Sequence, residues 1–119
     1  MPSVTIHDRT STGDPAGTIT LPGLPDGITL RQLIRLRVRE EVARANVGAW
    51  RVLLGLPPAD PKRKPIDWEV QADAAIDLFL AKGFIVLVNG VQVIDLETRI
   101  DIKRDPDVRF IRLTPLEGA

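Results

Sequence analysis

The chain has no cysteine and only one histidine in 119 residues. Without cysteine there are no disulfides, no thiolate metal sites and no cysteine nucleophile. His7 is the only imidazole, and its neighbours Thr5 and Asp8 belong to no second motif that would complete a catalytic triad. Glycines form no phosphate cradle: neither GxGxxG nor GxxxxGK(S/T) occurs. There is no carboxylate-rich calcium loop either. Sixteen basic residues balance sixteen acidic ones, so no global field draws nucleic acid or anionic membrane. No apolar run approaches the roughly 20 residues that span a bilayer. MPSVTIHDRT lacks the basic patch and apolar stretch of a secretory signal. These absences point away from an enzyme, from nucleic-acid partners and from membranes, and the cytoplasm is the expected compartment.

What is present is an ordinary globular composition, 44% hydrophobic and 27% charged, over a length that fits one domain. Val4 and Ile6 alternate in SVTIHD and mark a first strand; TITL, Thr18 to Leu21, marks a second. RTSTGDPAG between them reads as a loop, and the two strands as an antiparallel pair. Pro22, Gly23, Pro25 and Gly27 stop the second strand. A helix follows, with Thr29 and Gln32 in capping-box spacing and an apolar stripe through Leu30, Leu33, Ile34, Val38, Val42 and Ala45.

The stretch from Asn46 to Pro65 is irregular. Trp50, Leu53, Leu54 and Leu56 offer apolar surface there, and PPADPKRKP is proline-stiffened loop. Asp67 has the character of an N-cap for a second helix, whose buried stripe is Trp68, Ala72, Ala75, Ile76, Phe79 and Leu80. Lys82 falls in its last turn, and Gly83 at the left-handed position beyond. FIVLVNGVQVI places two β-branched runs around Asn89-Gly90, the pair that suits a type I′ hairpin turn. LETRIDI has room for a short strand. Asp105-Pro106-Asp107 is a turn, and Val108 to Leu113 a terminal strand.

The pattern is α+β, a mixed sheet covered on one face by helix. Both strand groups must share one sheet, because neither alone buries the first helix's stripe. Compactness places the terminal strand beside the first. Val108 and Phe110 then face the helix, leaving Ile111 and Leu113 outward; a one-residue slip would reverse this.

Two charged rows repeat every four residues: Arg31, Arg35 and Arg39 on the first helix, Glu69, Asp73 and Asp77 on the second. The acidic row has three readings. It is a solvated face, a divalent-metal face, or the counter-row of the arginines if the helices lie side by side. Hard-metal sites need oxygens from more than one element, which counts against the second. The arginine row could instead meet an acidic partner. Lys62, Arg63 and Lys64 form a basic knot with no aromatic residue interleaved, which fits loop solvation and not nucleic-acid binding.

The hairpin, helix and terminal strand together resemble the β-grasp fold of ubiquitin-like proteins. VRFIRLTPLEGA is similar to the last strand and tail of the small sulfur-carrier subunits of molybdopterin and thiamine synthesis. Those families end in a strand, often a proline, a few residues and Gly-Gly. DWEVQADAAIDLFLAKGFIVLVNGVQVIDLETRI, taken with this tail, is similar to a bacterial group of ubiquitin-like modifiers. The resemblance covers most of the chain. It implies a single β-grasp domain over 1–114 with a helix-bearing insertion at 46–83, and a flexible tail at 115–119.

By this resemblance the protein is acted upon. An activating enzyme uses ATP to adenylate the C-terminal carboxylate, which passes to a thiol or becomes a thiocarboxylate; the chain itself needs no cofactor. The implied partners are activating-enzyme-like and conjugating-enzyme-like proteins, a deconjugating peptidase and target proteins. Gly118 and Ala119 are the conjugation tail, where Gly118 brings no Cβ into a narrow channel. Pro115 fixes its own φ and holds Thr114 extended. Ile111, Leu113, Pro115 and Leu116 are the implied partner contacts, and Lys62 and Lys64 the most accessible of four acceptor lysines. Ala119 departs from Gly-Gly by one methyl, with three readings: activation tolerates alanine, the residue was altered to block activation or cleavage, or the protein binds partners without being conjugated. The last corresponds to an adaptor that docks through its sheet or through the Trp50 segment.

Overall fold

The computed structural model of the chain describes residues 1–43 and 67–113. Among these residues, seven strands and two helices follow one another as β1 (Val4–Arg9), β2 (Pro15–Leu21), β3 (Gly27–Thr29), α1 (Leu30–Ala43), α2 (Trp68–Leu80), β4 (Phe84–Val88), β5 (Val91–Val93), β6 (Arg99–Asp101) and β7 (Val108–Arg112). Five of the strands form a mixed sheet in the order β2-β1-β7-β4-β5, and β3 pairs with β6 in a small separate ribbon. The central pair, β1 and β7, is parallel, with Ile6 opposite Val108 and Asp8 opposite Phe110. Every other pair in the sheet is antiparallel.

Side chains alternate across the sheet, and the two faces differ in kind. Val4, Ile6, Ile19, Leu21, Phe84, Val86, Val108 and Phe110 are buried on the inner face. Against them α1 lays Leu30, Leu33, Ile34 and Val38, and α2 lays Ala72, Ala75, Ile76 and Phe79. The two helices also pack on each other. Neither strand group alone presents enough inner surface for both stripes, which is why one continuous sheet forms.

The local signals act through identifiable bonds. The Gln32 amide donates to Thr29 Oγ1 at 3.2 Å, and Gln32 Oε1 accepts from the Thr29 amide at 2.9 Å, completing a capping box. The next free donors at this helix start, the amides of Leu30 and Arg31, reach the carbonyls of Thr98 and Leu96. Asp67 Oδ1 accepts from the Glu69 amide and caps α2. Asn89 and Gly90 both have positive φ, 52° and 81°, as a type I′ turn demands. Asn89 does more than turn: its amide donates to the Asp107 carbonyl, and its Oδ1 accepts from the Asp107 amide.

Four local expectations need correction. β2 begins at Pro15, so the hairpin loop is shorter than RTSTGDPAG; Arg9 still pairs with Pro15 beyond a register shift at Asp8/Arg9. A strand forms at Gly27–Thr29 despite the surrounding glycine and proline, because Arg99–Asp101 is there to pair with it. At the end of α2 it is Lys82 that takes the left-handed conformation, φ 63°. Its amide donates to Phe79 O and the Gly83 amide to Leu78 O, a Schellman pattern in which glycine stands one place later than expected. A Cβ on Gly83 would collide with Leu78, so the position needs glycine for close approach and not for positive φ. Finally, Leu80 is 61% exposed.

Replacing Asn89 by alanine removes both the tolerance for left-handed backbone and the bond to Asp107. The expected loss is about 1–3 kcal/mol in urea unfolding, and Asn89→Gly should restore only the backbone share.

Candidate functional site

Two features stand out once the sheet is in place. One is buried beneath it, the other lies on its outer face. The buried one was not foreseen. Asp8 sits on the inner face of β1, where alternation after Val4 and Ile6 directs it. Arg37 and Glu41 lie on the same side of α1 as Leu33, Ile34 and Val38. All three charged residues are buried, and Arg37 has no exposure at all. Its two terminal nitrogens donate to the two carboxylate oxygens of Asp8 at 2.5 Å, and its Nη2 lies 3.9 Å from Glu41 Oε1. The same guanidinium lies over the Phe110 ring, 5.0 Å from its centre. Phe110 stacks on Phe84 at 5.4 Å, and Phe84 meets Phe79 of α2 at 5.7 Å. Arg37 thereby ties β1, β7 and α1 together two residues before β7 ends.

A signal for this cluster existed in the sequence. A charge of each sign occupied a core position, Asp8 by strand parity and Arg37 by helical spacing, and such a pair is stable only if the two meet.

The outer face carries the sequence-predicted contact residues that the structure describes. Ile111 lies between Arg9 of β1 and Ile85 of β4, and Arg109 between His7 and Leu87. Ile85, Leu87 and Ile111 are half-buried, as on an open sheet. Leu113 is 41% exposed, and its amide donates to the Gly83 carbonyl in the last bond that holds the strand. Ile94, just past β5, is 77% exposed. The result is an apolar patch edged by Arg9 and Arg109, the latter 3.1 Å from Asp107. His7 sits on this face half-buried, opposite Thr18. Pro115, Leu116, Gly118, Ala119, Lys62, Lys64 and Trp50 lie outside the described residues; Lys82 and Lys103 are described and exposed.

The charged rows meet in part. Arg35 Nη1 is 2.9 Å from Asp73 Oδ1 across the helix pair, whereas Arg31 turns to Glu97. Arg35 and Arg39 both lie over the Trp68 ring, at 5.5 and 5.8 Å. Only the middle rung of a ladder between the two rows is therefore built. A shallow pocket opens beside it, lined by Pro25, Ile28, Gln32, Arg35, Leu36 and Trp68. Among the described residues no group of three or more carboxylate or imidazole side chains could hold a metal ion. No helix among them is long and apolar enough to cross a membrane.

Arg37→Met leaves Asp8 and Glu41 without their cation and should cost about 3–5 kcal/mol in denaturant unfolding. The triple replacement Asp8→Leu, Arg37→Met, Glu41→Leu should recover most of that stability. Asp73 is well exposed although Arg35 is half-buried against Trp68, so a double-mutant cycle on that pair should give a coupling of about 0.2–1 kcal/mol.

No protein-family model, curated protein or solved structure matches this chain.

Proposed function

We propose that the chain is a β-grasp, ubiquitin-like modifier whose terminal carboxylate is adenylated by an activating enzyme and joined to a protein amine, or thiolated in a sulfur carrier. The observation that carries this reading is the position of β7. It runs parallel to β1 at the centre of a mixed sheet that grips α1 on one face, the arrangement a β-grasp domain calls for. The strand leads directly into TPLEGA, whose small residues suit entry into a narrow adenylation channel. The Arg37 cluster supports the same reading, because it fixes the strand from which the tail departs.

On this proposal the outer face, through Ile111 and Leu113, docks the activating and conjugating proteins, while Pro115 and Leu116 guide the tail. Lys62 and Lys64 are the acceptor lysines for chains. The modifier and the sulfur carrier share their first step and differ in the nucleophile that takes the acyl adenylate. The second reading is an adaptor that docks partners without conjugation. It is favoured by the same outer patch together with the methyl of Ala119, which stands beside the carbonyl that would react.

The test is incubation with an activating enzyme of this class and ATP, read by intact mass and pyrophosphate release. Adenylate or thioester formation by the chain, or by Ala119→Gly, is the expected result. Ile111→Asp should leave the fold intact and lower kcat/KM for activation by about tenfold or more, the scale seen when a central side chain of an interface is replaced. Failure of both the chain and Ala119→Gly to react, with partners still bound, would leave the adaptor standing.

A further inference from the structure

The turn between β4 and β5 carries covalent chemistry that needs no second protein. Asn89 is followed by Gly90, and both are exposed. A Cβ built on Gly90 would meet nothing within 4 Å, so no neighbour covers the turn. The backbone nitrogen that follows an asparagine can attack the side-chain carbonyl carbon, and glycine leaves that nitrogen unhindered. The nitrogen gives up its proton and bonds to Cγ, ammonia leaves, and a five-membered succinimide ring remains. Water then opens the ring at either carbonyl. One product is aspartate. The other is isoaspartate, in which the chain runs through the former side chain and gains one backbone atom. The chain's other asparagine, Asn46, precedes β-branched Val47, which crowds the same nitrogen.

The fold opposes the first of these steps. Ring closure needs the Gly90 nitrogen on the same side of the Cα–C bond as the Asn89 Cβ. With φ of 52° and 81° the pair forms a type I′ turn, whose first ψ of about +30° puts that nitrogen on the far side. The carboxamide is held as well. Asn89 Oδ1 accepts from the Asp107 amide at 2.9 Å, while the Asn89 amide donates to the Asp107 carbonyl at 2.8 Å. The pair therefore reacts only when the turn and its bonds to Asp107 open.

We infer that Asn89 is a self-modifying site, protected while the entrance to β7 is held, and that its conversion to isoaspartate releases that entrance. The two products differ in consequence. Aspartate keeps an acceptor for the Asp107 amide and tolerates left-handed backbone. Isoaspartate adds a backbone atom to a tight turn and shortens the side chain that reached Asp107, so turn and bond are both lost. Loss of ammonia makes the change one-way, and the amount of product records how often the hairpin has opened. No step involves the terminal carboxylate, so the inference stands independently of the proposed function.

The test is incubation of the full chain at mildly alkaline pH, folded and in urea, followed by peptide mapping at Asn89. The folded chain should convert about tenfold or more slowly than the chain in urea, because only its open fraction reacts. The two products are then separated by ion exchange. The isoaspartyl form should melt below the parent and exchange amide hydrogens faster at Asp107 and along β7, whereas Asn89→Asp should melt close to the parent. Equal rates in the two states, no conversion in urea, an isoaspartyl form as stable as the parent, or Asn89→Asp melting as low as that form would each overturn the inference.

Discussion

A guanidinium with no access to water sits between the sheet and the first helix, and the domain is arranged around keeping it paired. Removing Arg37 and Asp8 from water carries a desolvation penalty of several kcal/mol per ion, offset only when geometry and further contacts are good. Here the fork of Arg37 meets both oxygens of Asp8, Glu41 stands one helical turn on, and the flat face of the cation rests on Phe110. Each partner comes from a different place: β1, α1 itself and β7. A shift of any one element by a residue would strand a charge in the core. An apolar contact would tolerate such a slip at modest cost, whereas this one does not, so the cluster sets register as well as contributing contact.

That constraint matters because β1 and β7 lie almost at opposite ends of the described chain. Of the strand pairs among the described residues, theirs closes the longest loop and carries the largest closure entropy. Parallel pairing also has no hairpin turn to fix its register. The antiparallel pairs have such a device, most clearly β4 and β5 through Asn89-Gly90, and Asn89 extends it by bonding to Asp107 at the entrance to β7. The strand that leads to the tail is therefore held at both ends, by Asn89 at its start and by the Arg37 and Phe110 contact near its finish.

Much of this frame was legible from short patterns. Thr29 with Gln32, Asp67, and Asn89-Gly90 each encode a bond that needs only neighbours in sequence. The alternation of Val108 and Phe110 against Ile111 and Leu113 encodes a face without naming what covers it. The failures share one cause, dependence on a distant partner. Gly27–Thr29 is a strand only because Arg99–Asp101 lies beside it. Gly83 is needed because Leu78 occupies the space a Cβ would take. Leu80 fits a helical stripe by spacing, but the sheet and α1 between them cover only the side of α2 that carries Ala72, Ile76 and Phe79. Asp8 and Arg37 fall on buried faces by strand parity and helix spacing, but that they meet depends on β1 and α1 lying together.

The outer face is where structure and function separate. Nothing in the core requires Ile85, Leu87 and Ile111 to be apolar; threonine would satisfy the strand as well and spare the exposed area. On the inner face every large side chain answers to packing, and the ion cluster answers to the register of β7. An apolar outer patch bordered by arginines has no such internal cause, which is why the proposed function places its docking surface there. On the proposed function, an activating enzyme docked on that face would cover the final strand. A partner seated there would restrain from above the same strand, β7, that the buried arginine holds from below.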